Sequence, residues 1–369
     1  MKIAYLVHDY HRAGGHSRYV AELATRFARE HEVHVFANRT EPDDASGIRF
    51  HAVPAWRANA LTTVLTFAVP ATFQPGWDFD IVHSQGFCGF RGNVFTGHIC
   101  NRAWHRALQG LEGGVTLRES VFNSVATALE HVTYRFARNS QVIAISHRVA
   151  RDLVDFYHCS SAMHVIYHGV DLELFSPDTR SRWRSQMRSE CGLAADEMAF
   201  LYVGDLRKGA GRCIRALAQL NRGKLLLVSR SDTASYQHLA DEVGLAPGRL
   251  IFLPPTDHVE RVYAAADALL LPTPYDAFAM VVSEAMASGL PVVVSREAGA
   301  SELIESDVNG LLLRDVTSVP ELAGHMQSLL QDSGFRTRLG CAARRSIEPL
   351  SWDAVAEQTM QVYKRALRN

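Results

Sequence analysis

The sequence predicts an α/β protein of two doubly wound, Rossmann-like domains facing each other across a cleft. Three observations predict it. Short apolar, β-rich runs alternate with segments of helical periodicity, the rhythm of parallel sheets covered on both faces. That rhythm closes after Val142 to Ile145 and the helix behind it, and restarts at Phe200. A chain of 369 residues, 47% hydrophobic, suits two domains of about 100 to 200 residues, each with its own core.

The elements follow in order. Ile3 to Val7 is an apolar run, a turn holds Gly14 and Gly15, and Ser17 to Arg29 places Val20, Leu23, Ala24 and Phe27 at helical spacing. Val33 to Phe36, Ile81 to Ser84 and Val142 to Ile145 are further strands, the last leading into a helix through Val149, Leu153 and Phe156. Ala58 to Trp77 carries no charge, over about the length of a membrane-spanning helix. Thr62, Thr63, Thr66, Thr72, Pro70 and Pro75 make it too polar and broken to span. A buried helix ending near Pro70 is expected, with peripheral membrane contact as the alternative.

Gly169 to Pro177 and Asp178 to Glu190 read as a linker and one helix. The domains therefore divide as 1–168, completed by a C-terminal helix 352–369, and 169–351. In the second, the apolar runs are Phe200 to Val203, Ile214 to Leu220, Leu225 to Val228, Leu250 to Phe252, Ala268 to Leu271 and Val292 to Val294, with helical segments between.

With 38 basic against 39 acidic side chains, no global field draws in nucleic acid, and no nucleic-acid partner is expected. Six cysteines contain no C-x-x-C pair and read as free thiols. Met1 to Val7 is too short for the apolar core of a signal peptide. A cytoplasmic protein follows, with the inner face of the membrane as its other location. His8, His11, His16, His98 and His105 lack carboxylates or cysteines at ligand spacing, so no metal is expected. Ser146 before His147 reads as an N-cap rather than a nucleophile, and no G-x-S-x-G elbow occurs.

Doubly wound sheets bind ligands beyond the carboxyl ends of their strands, so the loops there carry the chemistry. Gly14 and Gly15 open a helix bearing Arg18, where backbone N–H groups and the helix dipole favour an anion. The pair is not part of G-x-G-x-x-G, and a plain tight turn is its alternative. Arg207 and Lys208 directly follow a strand and suit a diphosphate; an exposed basic turn is the bland reading. Pro272 to Pro291 presents Asp276 in a loop, then a helix from about Ala279 to Ser288, stopped by Gly289 and Pro291. Glu284 lies eight residues beyond Asp276, roughly 12 Å if the span were helical, which fits two ends of one elongated ligand.

Together these segments resemble the retaining family 4 glycosyltransferases of the GT-B fold, within them the lipopolysaccharide-core glucosyltransferase type. The resemblance is carried by Gly14-Gly15 with Arg18, Ile166 to Asp171 with Phe175 and Pro177, Arg207-Lys208-Gly209, Asp276 to Pro291 with Gly299 and Glu302, and Ser351-Trp352. It implies transfer of a sugar from a nucleoside-diphosphate donor, UDP-sugar favoured, to a glycan or glycolipid acceptor, with no cofactor. Asp276 and Glu284 fall on the family's paired acids, the first on sugar hydroxyls and the second on the ribose. Arg207 and Lys208 fall on the diphosphate clamp and His98 on the histidine near the reacting sugar. Gly14, Gly15, Arg18, Phe278, Ala279, Met280 and Val281 fall on the donor site. The chain departs from the family in Asp276 for Glu, Ala277 for Pro, Ala279 for Gly, a shortened basic loop, and Ser229 to Asp232 for a glycine-rich turn. A non-catalytic sugar-nucleotide-binding protein and a nucleotide-sugar epimerase on the same fold are the alternatives.

Overall fold

Runs of fully buried Val, Leu, Ile and Ala form the strands, as in Ile3–Leu6, Leu225–Leu227 and Val292–Val294, because parallel strands are covered on two faces. In the computed structural model, which describes residues 1–12, 14–41, 47–76, 78–110 and 114–368, the chain divides into two units. One comprises Met1–Arg106, Val115–Gly169 and the chain from Trp352; the other comprises Ala107–Gly110, Gly114 and Val170–Ser351. Of the positions named above, Trp77 and Asn369 lie outside the described residues.

The first unit contains β1 (Lys2–Leu6), β2 (Asp9–Tyr10), α1 (Gly15–Phe27), β3 (Glu32–Ala37), β4 (Arg39–Thr40), β5 (Arg49–Ala52) and α2 (Ala60–Phe73). β6 (Ile81–Gln85), β7 (Val94–Gly97), α3 (Asn101–Ala107), α4 (Leu117–Phe136), β8 (Gln141–Ala144), α5 (His147–Tyr157) and β9 (Ala162–Val165) follow. Its main sheet is parallel, in the order β5-β3-β1-β6-β7-β8-β9, with Ile3 opposite both Val33 and Ile81.

The expectation of a buried helix ending near Pro70 is corrected. α2 runs on to Phe73, its last turn closed by Gln74 N–H on the Pro70 carbonyl, while Asn59 and Thr62 form a capping box at its start. Only one face is covered: Val64, Phe67, Ala68 and Ala71 pack inward, whereas Leu65, Val69 and Phe73 form an exposed row at i, i+4, i+8. No described helix is long and apolar enough to cross a membrane.

The second unit contains α6 (Pro177–Glu190), β10 (Ala199–Val203), α7 (Ala210–Ala218), β11 (Lys224–Val228), α8 (Ala234–Glu242), β12 (Leu250–Leu253) and α9 (Val259–Ala265). β13 (Ala268–Leu271), α10 (Met280–Ala287), β14 (Val292–Ser295), β15 (Leu311–Leu313), α11 (Val319–Gln331) and α12 (Ser333–Ile347) complete it. Ile214–Leu220, expected among the strand-like runs, lies in α7 and the turn behind it, with Cys213, Ile214, Ala216 and Leu217 buried along its core face. The sheet order is β12-β11-β10-β13-β14-β15, all parallel, so strand order reverses between β10 and β13. The last helix, α13 (Trp352–Ala366), belongs to the first unit, where the Tyr363 hydroxyl meets Tyr5 Oη at 2.8 Å and His83 Nδ1 at 2.7 Å.

Candidate active site

In the second unit the loops after β10 and β13 stand side by side, at the point where the strand order reverses. The first loop is one tight turn: Asp205 accepts the Arg207 N–H at 3.0 Å. Gly209 then takes φ 136°, and a Cβ there would collide with the Pro272 carbonyl at the end of β13. Glycine is what lets the two loops touch. That contact carries Lys208 to Asp276, Nζ to Oδ2 3.0 Å, with both side chains about a quarter exposed.

Asp276 is fixed by its backbone, whose N–H donates to the Glu297 carbonyl (3.1 Å) and whose carbonyl accepts from Gly299 (2.9 Å). Its Oδ1 accepts the Phe278 N–H at 3.2 Å. Three residues on, Ala279 adopts the left-handed conformation (φ 74°, ψ 73°) and starts α10 with no side-chain cap. The N–H end of α10, at Met280 and Val281, is therefore a positive pole left to the backbone alone. Phe278 is buried and shapes the turn from beneath. Glu284, only 6% exposed, is held inside α10 by the Tyr263 hydroxyl, which donates to Oε2 at 3.0 Å.

Arg207 goes elsewhere. Its guanidinium pairs with Asp205, Nη2 to Oδ2 3.1 Å, and with Ser231, Tyr236 and His238 it lines a separate hollow of about 620 Å³. Arg207 and Lys208 thus pair with different acids, Asp205 and Asp276.

In the first unit, Gly14 (φ 118°) and Gly15 (φ 61°) lead into α1 without a side-chain cap. Ser17 Oγ is turned back onto the Asp9 carbonyl at 2.6 Å, and Arg18 sits half-buried in the first turn. His98, just past β7, meets Gln85 Oε1 through Nε2 at 2.8 Å. With the amide oxygen accepting, Nε2 carries the proton and Nδ1 presents its lone pair. His98 stands in a row of imidazoles, with ring centroids 6.4 Å from His8 to His16, 5.8 Å from His16 to His98 and 5.5 Å from His98 to His168, flanked by Tyr19. Burial, and then the neighbouring rings of His168, His16 and His83, hold His98 well below the usual imidazole range. Burial likewise takes His8 down to about 3. Burial lowers His16 as well, so His8, His16 and His98 are neutral at physiological pH.

Cys88 lies 3.0 Å from His8 Nδ1, but burial pushes its thiol up while it pushes the imidazole down, so the pair holds no thiolate. Five of the free cysteines are buried and Cys341 is exposed. Ser146 caps α5 by accepting the Val149 N–H at 3.1 Å. Among the described residues no group of His, Cys, Asp and Glu could hold a metal ion.

Two supporting residues escaped the sequence reading. Gln85 had a signal, because it ends β6 at the carboxyl edge of the sheet; Tyr263 had none, lying on another helix 21 residues from the acid it holds.

The Glycosyltransferase Family 4 model matches residues 13–174 and the Glycosyl transferases group 1 model matches residues 197–332. A D-inositol 3-phosphate glycosyltransferase of Xylanimonas cellulosilytica is 29% identical, over 96% of this chain and 93% of that protein. Among solved structures, WaaG, a glycosyltransferase involved in lipopolysaccharide biosynthesis, superposes with a TM-score of 0.81 at 20% identity, over 98% of this chain and 99% of that one. HepE of Anabaena, in complex with UDP-glucose, gives a TM-score of 0.75 at 20% identity, over 99% and 100% of the two chains.

Proposed function

We propose, from the premise that this chain belongs to the glycosyltransferases of the GT-B fold, that it moves a hexose from a UDP-sugar to an acceptor hydroxyl with retained configuration and without a metal. The carrying observation is the Lys208–Asp276 pair beside the uncapped start of α10, at the reversal point of the second sheet.

Breaking the anomeric C–O bond builds negative charge on the diphosphate and positive charge on the sugar ring. Lys208 and the N–H groups at Met280 and Val281 stabilise the first, in place of a divalent ion. Arg207 joins them by exchanging Asp205 for phosphate. Asp276 accepts hydrogen bonds from sugar hydroxyls and Glu284 from the ribose. In the first unit, neutral His98 accepts a sugar hydroxyl at Nδ1, and Gly14, Gly15 and Arg18 serve the phosphates. The acceptor oxygen bonds to the anomeric carbon on the face the phosphate leaves, and its proton passes to the departing diphosphate.

The UDP-glucose complex of HepE supports a UDP-sugar, and WaaG supports an acceptor in cell-envelope glycan or glycolipid assembly. The inositol phosphate enzymes support a second acceptor class, a phosphorylated polyol. The exposed row Leu65, Val69 and Phe73, near exposed Trp56, supports peripheral contact with the cytoplasmic membrane face.

A thermal-shift screen of UDP, GDP and ADP tests the donor. UDP at about 100 times its dissociation constant should stabilise the fold by roughly 2.7 kcal/mol. Transfer from the matching UDP-sugar should persist in EDTA. Loss of transfer on chelation, restored by magnesium or manganese, would make the metal-free reading wrong, and binding without transfer or donor hydrolysis would favour a non-catalytic binding protein.

A further inference from the structure

The strand that leads to Asp276 begins, at its other end, beside a second concentration of charge. A cavity of about 390 Å³ opens at Asp267, just before β13, and its lining includes Arg180, Arg336, Arg344 and Arg345 but no other acid. Asp267 is already engaged: Oδ1 accepts from Arg184 Nη2 at 2.6 Å, and Oδ2 accepts from Arg188 Nη1 at 3.2 Å and from the Ala199 N–H at 2.9 Å. Arg180 stands 3.8 Å from the same carboxylate. Outside the lining, Arg344 Nε lies 3.6 Å from exposed Glu348.

Part of this cluster is structural. Arg180 Nη2 donates to the Ala266 carbonyl, Arg336 Nη1 to Leu329, and Arg344 Nη1 to Leu172, Phe175 and Ala287. Carbonyl contacts carry no net charge, so they leave the cationic excess in place. Burial, then Arg184, with Arg188 and Arg336 further on and Asp267 opposing, lower Arg180 to about 10, still charged at neutral pH. Its Nε is buried with no hydrogen-bond partner, and Arg345 is exposed at the rim. An anion entering here meets planar donors made for phosphate oxygens and relieves the mutual repulsion of the guanidiniums.

We propose that this cavity is a binding site for a small phosphate-bearing anion, free phosphate or a phosphomonoester, distinct from the loops that hold Lys208 and Asp276. Titration calorimetry of the full chain with inorganic phosphate, and separately with glycerol phosphate, against chloride of equal ionic strength, tests it. Saturable 1:1 binding is expected, unchanged in Lys208→Ala, weakened about tenfold in Arg345→Ala and further in Arg345→Glu. Arg345 is exposed, so both variants should fold; retained thermal midpoints check this, and Arg336→Gln supplies an independent loss. A higher affinity for glycerol phosphate assigns the site to an ester, and equal or weaker affinity assigns it to the free ion. No binding beyond chloride, or phosphate binding lost in Lys208→Ala and intact in both Arg345 variants, overturns the proposal.

Discussion

Ala279 occupies a backbone conformation that a residue with a Cβ adopts at a cost of about 1 to 2 kcal/mol, at the start of α10. Glycine would pay nothing there in the folded state but more in the unfolded one. Ala279→Gly is therefore expected to stabilise the chain by about 1 kcal/mol. Urea denaturation checks it; a lower midpoint would mean that the Ala279 methyl contributes packing that outweighs the strain. The strain itself was hidden in the sequence, because alanine is an ordinary helix residue and only the turn from Asp276 through Phe278 forces its φ to 74°.

At the scale of elements, the contact between the loops after β10 and β13 depends on Gly209. Gly209→Ala combines a positive φ with a collision against the Pro272 carbonyl, and should cost about 2 kcal/mol of stability. It should also separate Lys208 from Asp276 and weaken UDP binding; unchanged stability and unchanged UDP affinity would show that the loops meet by other means. Strands buried on both faces were legible as apolar runs: Ile3–Leu6, Leu225–Val228 and Val292–Ser295 fall within one residue of their expected limits. β5 was not legible, because Arg49–Ala52 is an edge strand with no fully buried residue, and β7 was not, because Thr96 and Gly97 cut the apolar run of Val94–Gly97 to two residues. Ile214–Leu220 misled because a buried helix and a buried strand both read as apolar runs. Asp276, Arg207 and Lys208 were legible as loop residues after strands, and Glu284 by its place in the helix that follows, but the Lys208–Asp276 pairing was not: it spans 68 positions and depends on the sheet order.

At the scale of the molecule, buried neutral groups make stability depend on pH in two opposing ways. His83 is fully buried between Tyr363 and Thr96, and burial lowers it from 6.5 to about 3. Between those values the unfolded chain binds the proton that the folded chain refuses, so this contribution is lost as pH falls from 6.5 towards 3. Glu130, buried under donors from Asn101 and Tyr157, is raised by burial from 4.5 to about 7, so its contribution is lost as pH rises through that window. His83→Gln should flatten the acid limb of a stability-against-pH curve by up to about 1.4 kcal/mol per pH unit, and Glu130→Gln should remove the opposing slope between 4.5 and 7. Denaturation at stepped pH reads both; wild-type slopes in the two variants would place the titrating groups elsewhere. The measurement that bears most directly on the whole account is calorimetric titration of UDP and of an accepted UDP-sugar into wild type, Lys208→Ala, Asp276→Asn and Glu284→Gln. Lys208→Ala and Glu284→Gln should weaken both ligands, by about 1.5 to 3 kcal/mol for each charge-assisted hydrogen bond lost. Asp276→Asn should weaken the UDP-sugar far more than UDP. Wild-type affinity for both ligands in all three variants would contradict the account.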